Sequence, residues 1–149
     1  FEMVMAANFI FCDESARFGV PEIQLGVFPP VACALLPILL PKTVASKMIL
    51  TGYRASAEEM KAYGFATHLS KTGSLDADLE SFIEKQILPK SAESLRRANQ
   101  ALREGIKRQY RDLIGTLEKQ YLSDLMRTQD AVEGITAFVD KRNPQWKNC

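Results

Sequence analysis

The stretch Ser15-Ala-Arg-Phe-Gly-Val-Pro-Glu-Ile-Gln-Leu-Gly-Val-Phe-Pro29 decides how the rest of the chain is read. It joins a short strand pattern, Arg17-Phe18-Gly19, to a bend at Gly19 and Pro21, and Glu22 follows directly on that bend. Gly26 and Pro29 shape the loop beyond it. The neighbours of Glu22 are Val20, Ile23, Leu25, Val27 and Phe28, so its carboxylate is held on a proline-anchored turn with little water around it. A carboxylate placed in that way is a candidate for proton chemistry.

Twenty residues upstream stands a second carboxylate, Glu2, which opens the apolar run Met3-Val-Met-Ala-Ala7. This run reads as the first turns of a buried helix, broken at Asn8. Phe9-Ile-Phe-Cys12 is a short apolar run of strand type, ended by Asp13. Spacing alone does not bring Glu2 and Glu22 together. Taken singly, Glu2 is a helix-start glutamate favoured by the helix dipole, and Glu22 is a residue of a surface turn.

Together, Phe1-Glu-Met-Val-Met-Ala-Ala-Asn-Phe-Ile-Phe11 and Ser15-Ala-Arg-Phe-Gly-Val-Pro-Glu22 resemble the crotonase (enoyl-CoA hydratase/isomerase) superfamily. In its hydratases a Gly-Gly-Gly-x-Glu motif and a Phe-Gly-x-Pro-Glu motif place two glutamates at this same separation. Thr51-Gly-Tyr-Arg-Ala-Ser-Ala-Glu-Glu59 and Glu133-Gly-Ile-Thr-Ala-Phe-Val-Asp-Lys-Arg142 resemble two later segments of the family, so the likeness runs through the whole chain. The sequence starts at Phe1, inside the first motif, and is therefore similar to the C-terminal part of a longer protein. The resemblance implies an α/β fold: the C-terminal part of the spiral β/α core shared by ClpP-like and crotonase proteins, over residues 1–72. An all-helical oligomerisation subdomain would follow over residues 73–149, packing on the core and making trimer or hexamer contacts.

Composition agrees with a soluble globular protein and with little else. Hydrophobic residues make up 46% and charged residues 25% of 149. The net charge of +1, from 19 basic and 18 acidic residues, gives no reason to propose nucleic acid or an anionic membrane as partner. Cys12, Cys33 and Cys149 show no metal-binding or redox spacing, and the odd count argues against a disulfide framework. Cys12 and Cys33 read as small hydrophobes, and a reducing cytoplasm fits best. The longest apolar run, Val31 to Leu40, is about half a membrane span and contains Pro37, so it is buried rather than transmembrane.

Along the chain, Val31 to Leu40 reads as a helix ended by Pro41, and Val44 to Thr51 as another stopped by Gly52. Ser56 and Glu59 have the spacing of a capping box for a helix that ends at Tyr63-Gly64, and Ala66 to Leu69 is extended again. From Asp76 onward the pattern is helical. Its apolar stripes are Leu79, Phe82, Ile83 and Ile87; Leu95, Ala98, Leu102 and Ile106; Leu113, Leu117, Tyr121 and Leu125; and Val132, Ile135, Phe138 and Val139. They predict four amphipathic helices with their apolar faces buried.

Hydration of a double bond conjugated to a thioester needs activated water, a proton donor and stabilisation of the thioester enolate. Two carboxylates in different surroundings can supply the first two. The resemblance implies that Glu2 is the base that activates water and that Glu22 delivers the proton. It further implies an oxyanion hole of two backbone N–H groups. One belongs to the N-terminal half of family members and the other to a glycine two residues before Phe1, so the chain by itself is expected to be inactive. Coenzyme A enters only as part of the thioester substrate; no further cofactor and no metal are implied.

Two departures from the family pattern bear on the reaction. Asn8 stands where many members have aspartate. Val27-Phe-Pro-Pro-Val-Ala-Cys-Ala34 stands where simple hydratases read Pro-Gly-x-Gly-Gly-Thr, and the glycine at the place of Pro30 donates its N–H to the catalytic water in those enzymes, which proline cannot do. This variant resembles the subfamily that hydrates cyclic dienoyl-CoA thioesters in anaerobic aromatic degradation. Gly26, Phe28, Pro30 and Val31 are candidates for the substrate pocket, and Lys141 for the coenzyme A phosphates. His68 and Trp146 read as structural. The alternatives are an isomerase or ring hydrolase with the same glutamates, and a helical assembly module on an inactive scaffold.

Overall fold

The computed structural model describes residues 1–148, so Cys149 lies outside the described residues. Four short strands form two pairs. β1 (Phe11–Asp13) lies parallel to β4 (His68–Ser70), with Cys12 opposite Leu69, and β2 (Arg17–Phe18) is antiparallel to β3 (Ala55–Ser56). Around them pack α1 (Pro30–Leu39), α2 (Lys42–Thr51) and α3 (Ala57–Ala62). α1 begins on a proline, whose preset φ and missing N–H suit the first helical position. α2 stops at Gly52, and the Ser56–Glu59 capping box forms with both of its reciprocal bonds.

The core is built of Val20, Leu36, Met48 and Met60 with small partners Ala32, Ala45, Ala55 and Ala57, all essentially inaccessible. Phe1 closes one end of it. Its ring stands edge-on to Phe18 at 5.5 Å and to Phe65 at 5.4 Å, the geometry that aromatic quadrupoles favour. That seat holds the residue directly before Glu2. His68 pairs with Asp78 at 3.3 Å, tying β4 to the first helix of the tail.

The helical tail has three helices rather than the four expected. α4 (Leu75–Phe82) runs on through a wide π turn at Ile83–Ile87, α5 spans Ala92–Lys119, and α6 spans Gln129–Val139. The second stripe and the first half of the third belong to one 28-residue helix, α5, while Tyr121 falls in the π turn Gln120–Asp124 that continues it and Leu125 in the 3-10 turn Leu125–Arg127. No proline separates Ile106 from Leu113, and Tyr110 between them makes the apolar spacing continuous, so nothing ends the helix there.

Two further expectations are corrected. The run after Glu2 is a single 3-10 turn, Val4–Ala6, and only Met5 is buried; Met3 is 91% exposed. With one turn between Phe1 and the extended Ala7, there are too few bonds to repay α-helix nucleation, and the tighter i→i−3 pattern forms instead. In α6 the predicted stripe faces outward: Phe138 is 68% and Val139 71% exposed. The buried face is Ala131, Gly134 and Ala137, because this helix approaches a backbone too closely for larger side chains. No described helix is long and apolar enough to cross a membrane.

Candidate active site

Glu2 and Glu22 come from separate elements, and both carboxylates lie close enough to Cys33, near the start of α1, to act on its thiol. Pro30, Val31 and Ala32 are the first three residues of that helix, and helix starts leave N–H groups without internal partners. The Ala32 N–H donates to Glu2 Oε1 at 2.9 Å. The carboxylate thereby serves as a cap for α1, with the positive end of the helix dipole in front of it.

Glu22 sits on a 3-10 turn, Pro21–Leu25, anchored at one end by the buried Val20 and closed at the other by Gly26, whose φ of 70° lies in the left-handed region. The Val27 N–H donates to the Glu22 carbonyl at 3.3 Å and the Gly26 N–H to the Ile23 carbonyl at 3.2 Å. Glu22 Oε2 is buried and has no hydrogen-bond partner among the described residues. A buried acceptor without a donor is costly, and a water or a substrate hydroxyl at this oxygen would remove that cost.

The two carboxylates converge on Cys33. Burial first, and then the negative charges of Glu2 and Glu22, push its thiol above the ordinary value. Cys33 is half-buried rather than a core hydrophobe, whereas Cys12 is buried as expected. Both cysteines lie in apolar surroundings that keep them as thiols.

A cavity of about 420 Å³ opens beside Glu2. Met5, Val31 and Leu35 form one wall, and Leu102, Ile106 and Tyr110 of α5 form the other, with Arg103 and Lys107 at its polar margin. This α5 wall was not foreseen as part of a site; its only sign in the sequence is the i, i+4, i+8 spacing of Leu102, Ile106 and Tyr110. The Ala32 N–H was missed as well, since backbone donors carry no side-chain signature. Asn8 donates from Nδ2 to Asn99 Oδ1 at 2.9 Å, which ties the segment after Glu2 to α5.

The remaining predicted positions are distributed as follows. Val31 lines the Glu2 cavity, and Pro30 is the first residue of α1 beside it. Phe28 points toward the tail, edge-on to Tyr121 with centroids 5.6 Å apart. Gly26 ends the Glu22 turn. Lys141 is exposed beyond the end of α6, in a left-handed conformation with φ of 54°, and does not line the cavity at Glu2.

Comparison with known proteins bears on this geometry. The enoyl-CoA hydratase/isomerase family model matches residues 1–149. The chain is 35% identical over 147 residues to a cyclohexa-1,5-dienecarbonyl-CoA hydratase from Thauera aromatica, covering 99% of this chain and 56% of that protein. It is 34% identical over 151 residues to a carnitinyl-CoA dehydratase from Salmonella heidelberg, covering 99% of this chain and 58% of that one. The chain thus spans little more than half the length of these curated relatives. The crystal structure of an enoyl-CoA hydratase from Mycobacterium avium subsp. paratuberculosis superposes with a TM-score of 0.86 at 24% identity, over 99% of this chain and 59% of that one, which establishes the fold.

Proposed function

Since the chain belongs to the enoyl-CoA hydratase/isomerase family of the crotonase superfamily, we propose that it supplies the catalytic glutamates of an acyl-CoA hydratase. The observation that carries this reading is the asymmetry of the pair. Glu2 already accepts a backbone N–H, whereas Glu22 Oε2 is buried with no donor among the described residues. In the forward reaction Glu2 takes a proton from water as its oxygen bonds to the β-carbon of the enoyl thioester. Electrons move onto the thioester oxygen, and Glu22 gives a proton to the α-carbon as the enolate collapses. Glu2 is left protonated and Glu22 ionised, and a proton passes back between them to close the cycle. The net change is one water added.

The substrate proposed is a cyclic dienoyl-CoA of anaerobic aromatic degradation. Support comes from the likeness to the Thauera hydratase and from Pro30, which cannot donate an N–H to water and so requires water to be held elsewhere. The apolar cavity beside Glu2 is of a size suited to a ring. Carnitinyl-CoA is the second candidate, favoured by a nearly equal identity. Gly26, Phe28, Pro30 and Val31 are assigned to the substrate pocket and Lys141 to the coenzyme A phosphates, with no cofactor beyond the substrate's own coenzyme A. Residues 1–72 carry the glutamates and 73–149 serve assembly; the outward face of α6, with Phe138 and Val139, is assigned to a homo-oligomer contact in the cytoplasm. The chain by itself is expected to be inactive, because the oxyanion donors expected from the family lie outside it.

The test incubates the full gene product with cyclohexa-1,5-diene-1-carbonyl-CoA, crotonyl-CoA and carnitinyl-CoA, and resolves products by chromatography and mass. A Glu22→Gln variant and the 149-residue chain run beside it. One water gained on the ring thioester, reduced roughly 100-fold or more in the variant, is the expected result. Failure to add or remove water on all three substrates would refute the hydratase assignment.

A further inference from the structure

Beyond α6 the chain doubles back along that helix as a strap. The Gln145 N–H donates to Glu133 Oε1 at 2.8 Å, and the N–H groups of Lys147 and Asn148 donate to Asp130 Oδ1 and Oδ2 at 2.7 and 2.8 Å. Arg142 holds Glu133 through Nη1 at 2.5 Å and Nη2 at 3.0 Å. Backbone donors on both sides of Trp146 are thereby tied to two carboxylates one turn apart on α6, and hydrogen bonds to charged acceptors are the stronger kind. The indole is seated where it meets two glycines at once. A side-chain carbon at Gly26 would fall 2.9 Å from Trp146 Cζ3, and one at Gly134 would fall 2.9 Å from Cη2.

Gly26 is the residue that closes the turn carrying Glu22. That turn is five residues long and contains no buried residue, so its own side chains do not hold it in place. Short 3-10 turns have poor hydrogen-bond geometry and depend on their neighbours. Here the neighbours are α2, which packs along the turn, α6, whose Gly134 lies against the Leu25 carbonyl, and the indole of Trp146 over Gly26.

We propose that the C-terminal strap positions Glu22, with Trp146 acting through Gly26 as a positioning residue. Its catalytic consequence rests on the hydratase reading above; its structural content does not. Removing the indole opens one side of Gly26 and lets the turn shift, while the Glu2 cavity, which neither Trp146 nor any residue of the turn lines, keeps its walls. The effect therefore falls on turnover rather than on substrate binding.

The test uses Trp146→Ala, Trp146→Phe and Asp130→Ala in the full gene product. Trp146→Ala should lower kcat about 10- to 100-fold, the scale of an ångström-sized misplacement, with KM changed less than about twofold. Trp146→Phe should recover most of that loss, and Asp130→Ala, which keeps the indole but frees the strap, should fall between. Amide hydrogen exchange supplies a readout independent of any substrate: Gly26 and Val27 should exchange about 10-fold faster in Trp146→Ala, with β4 and α1 unchanged. Unaltered exchange at Gly26 and Val27 would overturn the proposal whatever the kinetics. Faster exchange spread evenly over the core would also overturn it, because Trp146 would then be a general stabiliser. If the wild type hydrates none of the thioesters, the hydratase reading fails and the exchange result alone decides the strap.

Discussion

Gly134→Ala tests the contact on which the placement of Glu22 depends. A methyl group at this position would meet the Leu25 carbonyl, with its carbon 2.5 Å from the Leu25 carbonyl carbon, where ordinary contacts lie at 3.4–4 Å. Leu25 belongs to the turn and Gly134 to α6, so both partners are backbone and neither can rotate away. α6 must withdraw by roughly 1 Å, and overpacking against rigid structure costs about 1–3 kcal/mol, here at the upper end. Alanine returns up to about 1 kcal/mol through its better helix propensity. The net loss is then about 2 kcal/mol, which for a chain of this length lowers Tm by about 4–8 °C. Gly105→Ala is the control. It lies in α5 with open space around it, so only the propensity gain applies, and Tm should rise by about 2–4 °C. Thermal melts followed by circular dichroism read both. The reasoning fails if Gly134→Ala matches Gly105→Ala in sign, since α6 would then not be seated on the turn.

Two further predictions probe the site and the strap. Burial, and then the charges of Glu2 and Glu22, hold the Cys33 thiol high, so it should react with iodoacetamide more slowly than a free cysteine; Glu2→Gln and Glu22→Gln should each accelerate it. Peptide mapping by mass spectrometry measures this, and acceleration by only one of the two would show that the carboxylates do not share this thiol. Arg142, first, and the Gln145 N–H hold the Glu133 carboxyl at about 2, below the usual 4.5. A carboxylate lowered on folding stabilises the folded strap above pH 4.5, and that contribution is lost as pH falls from 4.5 toward 2. Trp146 is the only tryptophan, so its emission should change across that interval and not above it, and Glu133→Gln should show the loosened emission already at neutral pH.

How much of this was legible in the sequence depended on whether a signal was local. The Ser56–Glu59 box, the stop at Gly52 and the start of α1 at a proline were all readable, because each is settled by residues within one turn of it. Family motifs put Glu2 and Glu22 forward as a pair, which periodicity could not do. The failures share a different cause. Periodicity marks a stripe but does not say what lies opposite it. In α6 the rule that large apolar residues face inward chose the wrong side, since a helix pressed onto the Leu25 backbone must present Ala131, Gly134 and Ala137. In α5 two stripes were read as two helices, although no residue between Ile106 and Leu113 breaks the chain. The helix predicted after Glu2 reduced to one turn for want of length.

The positions of those small residues change how the two parts of the chain are related. A boundary near residue 72 follows the change from mixed to helical structure, yet the site does not respect it. Glu2 is held from the first part, by Phe1 in its aromatic seat and by the Ala32 N–H. The cavity in front of Glu2, however, takes one wall from Leu102, Ile106 and Tyr110 of α5. Phe28 rests on Tyr121, and the turn that presents Glu22 is pressed by Gly134 and capped by Trp146. Of the two carboxylates, the one with a local hydrogen bond is placed by its own segment, and the one without sits on a turn held by α2 on one side and by the tail on the other. A helical subdomain that only assembled subunits would have no reason to bring a glycine to the Leu25 carbonyl. Close approach at that point means that the tail, together with α2, sets the geometry of the turn, so that altering the tail moves the Glu22 carboxylate.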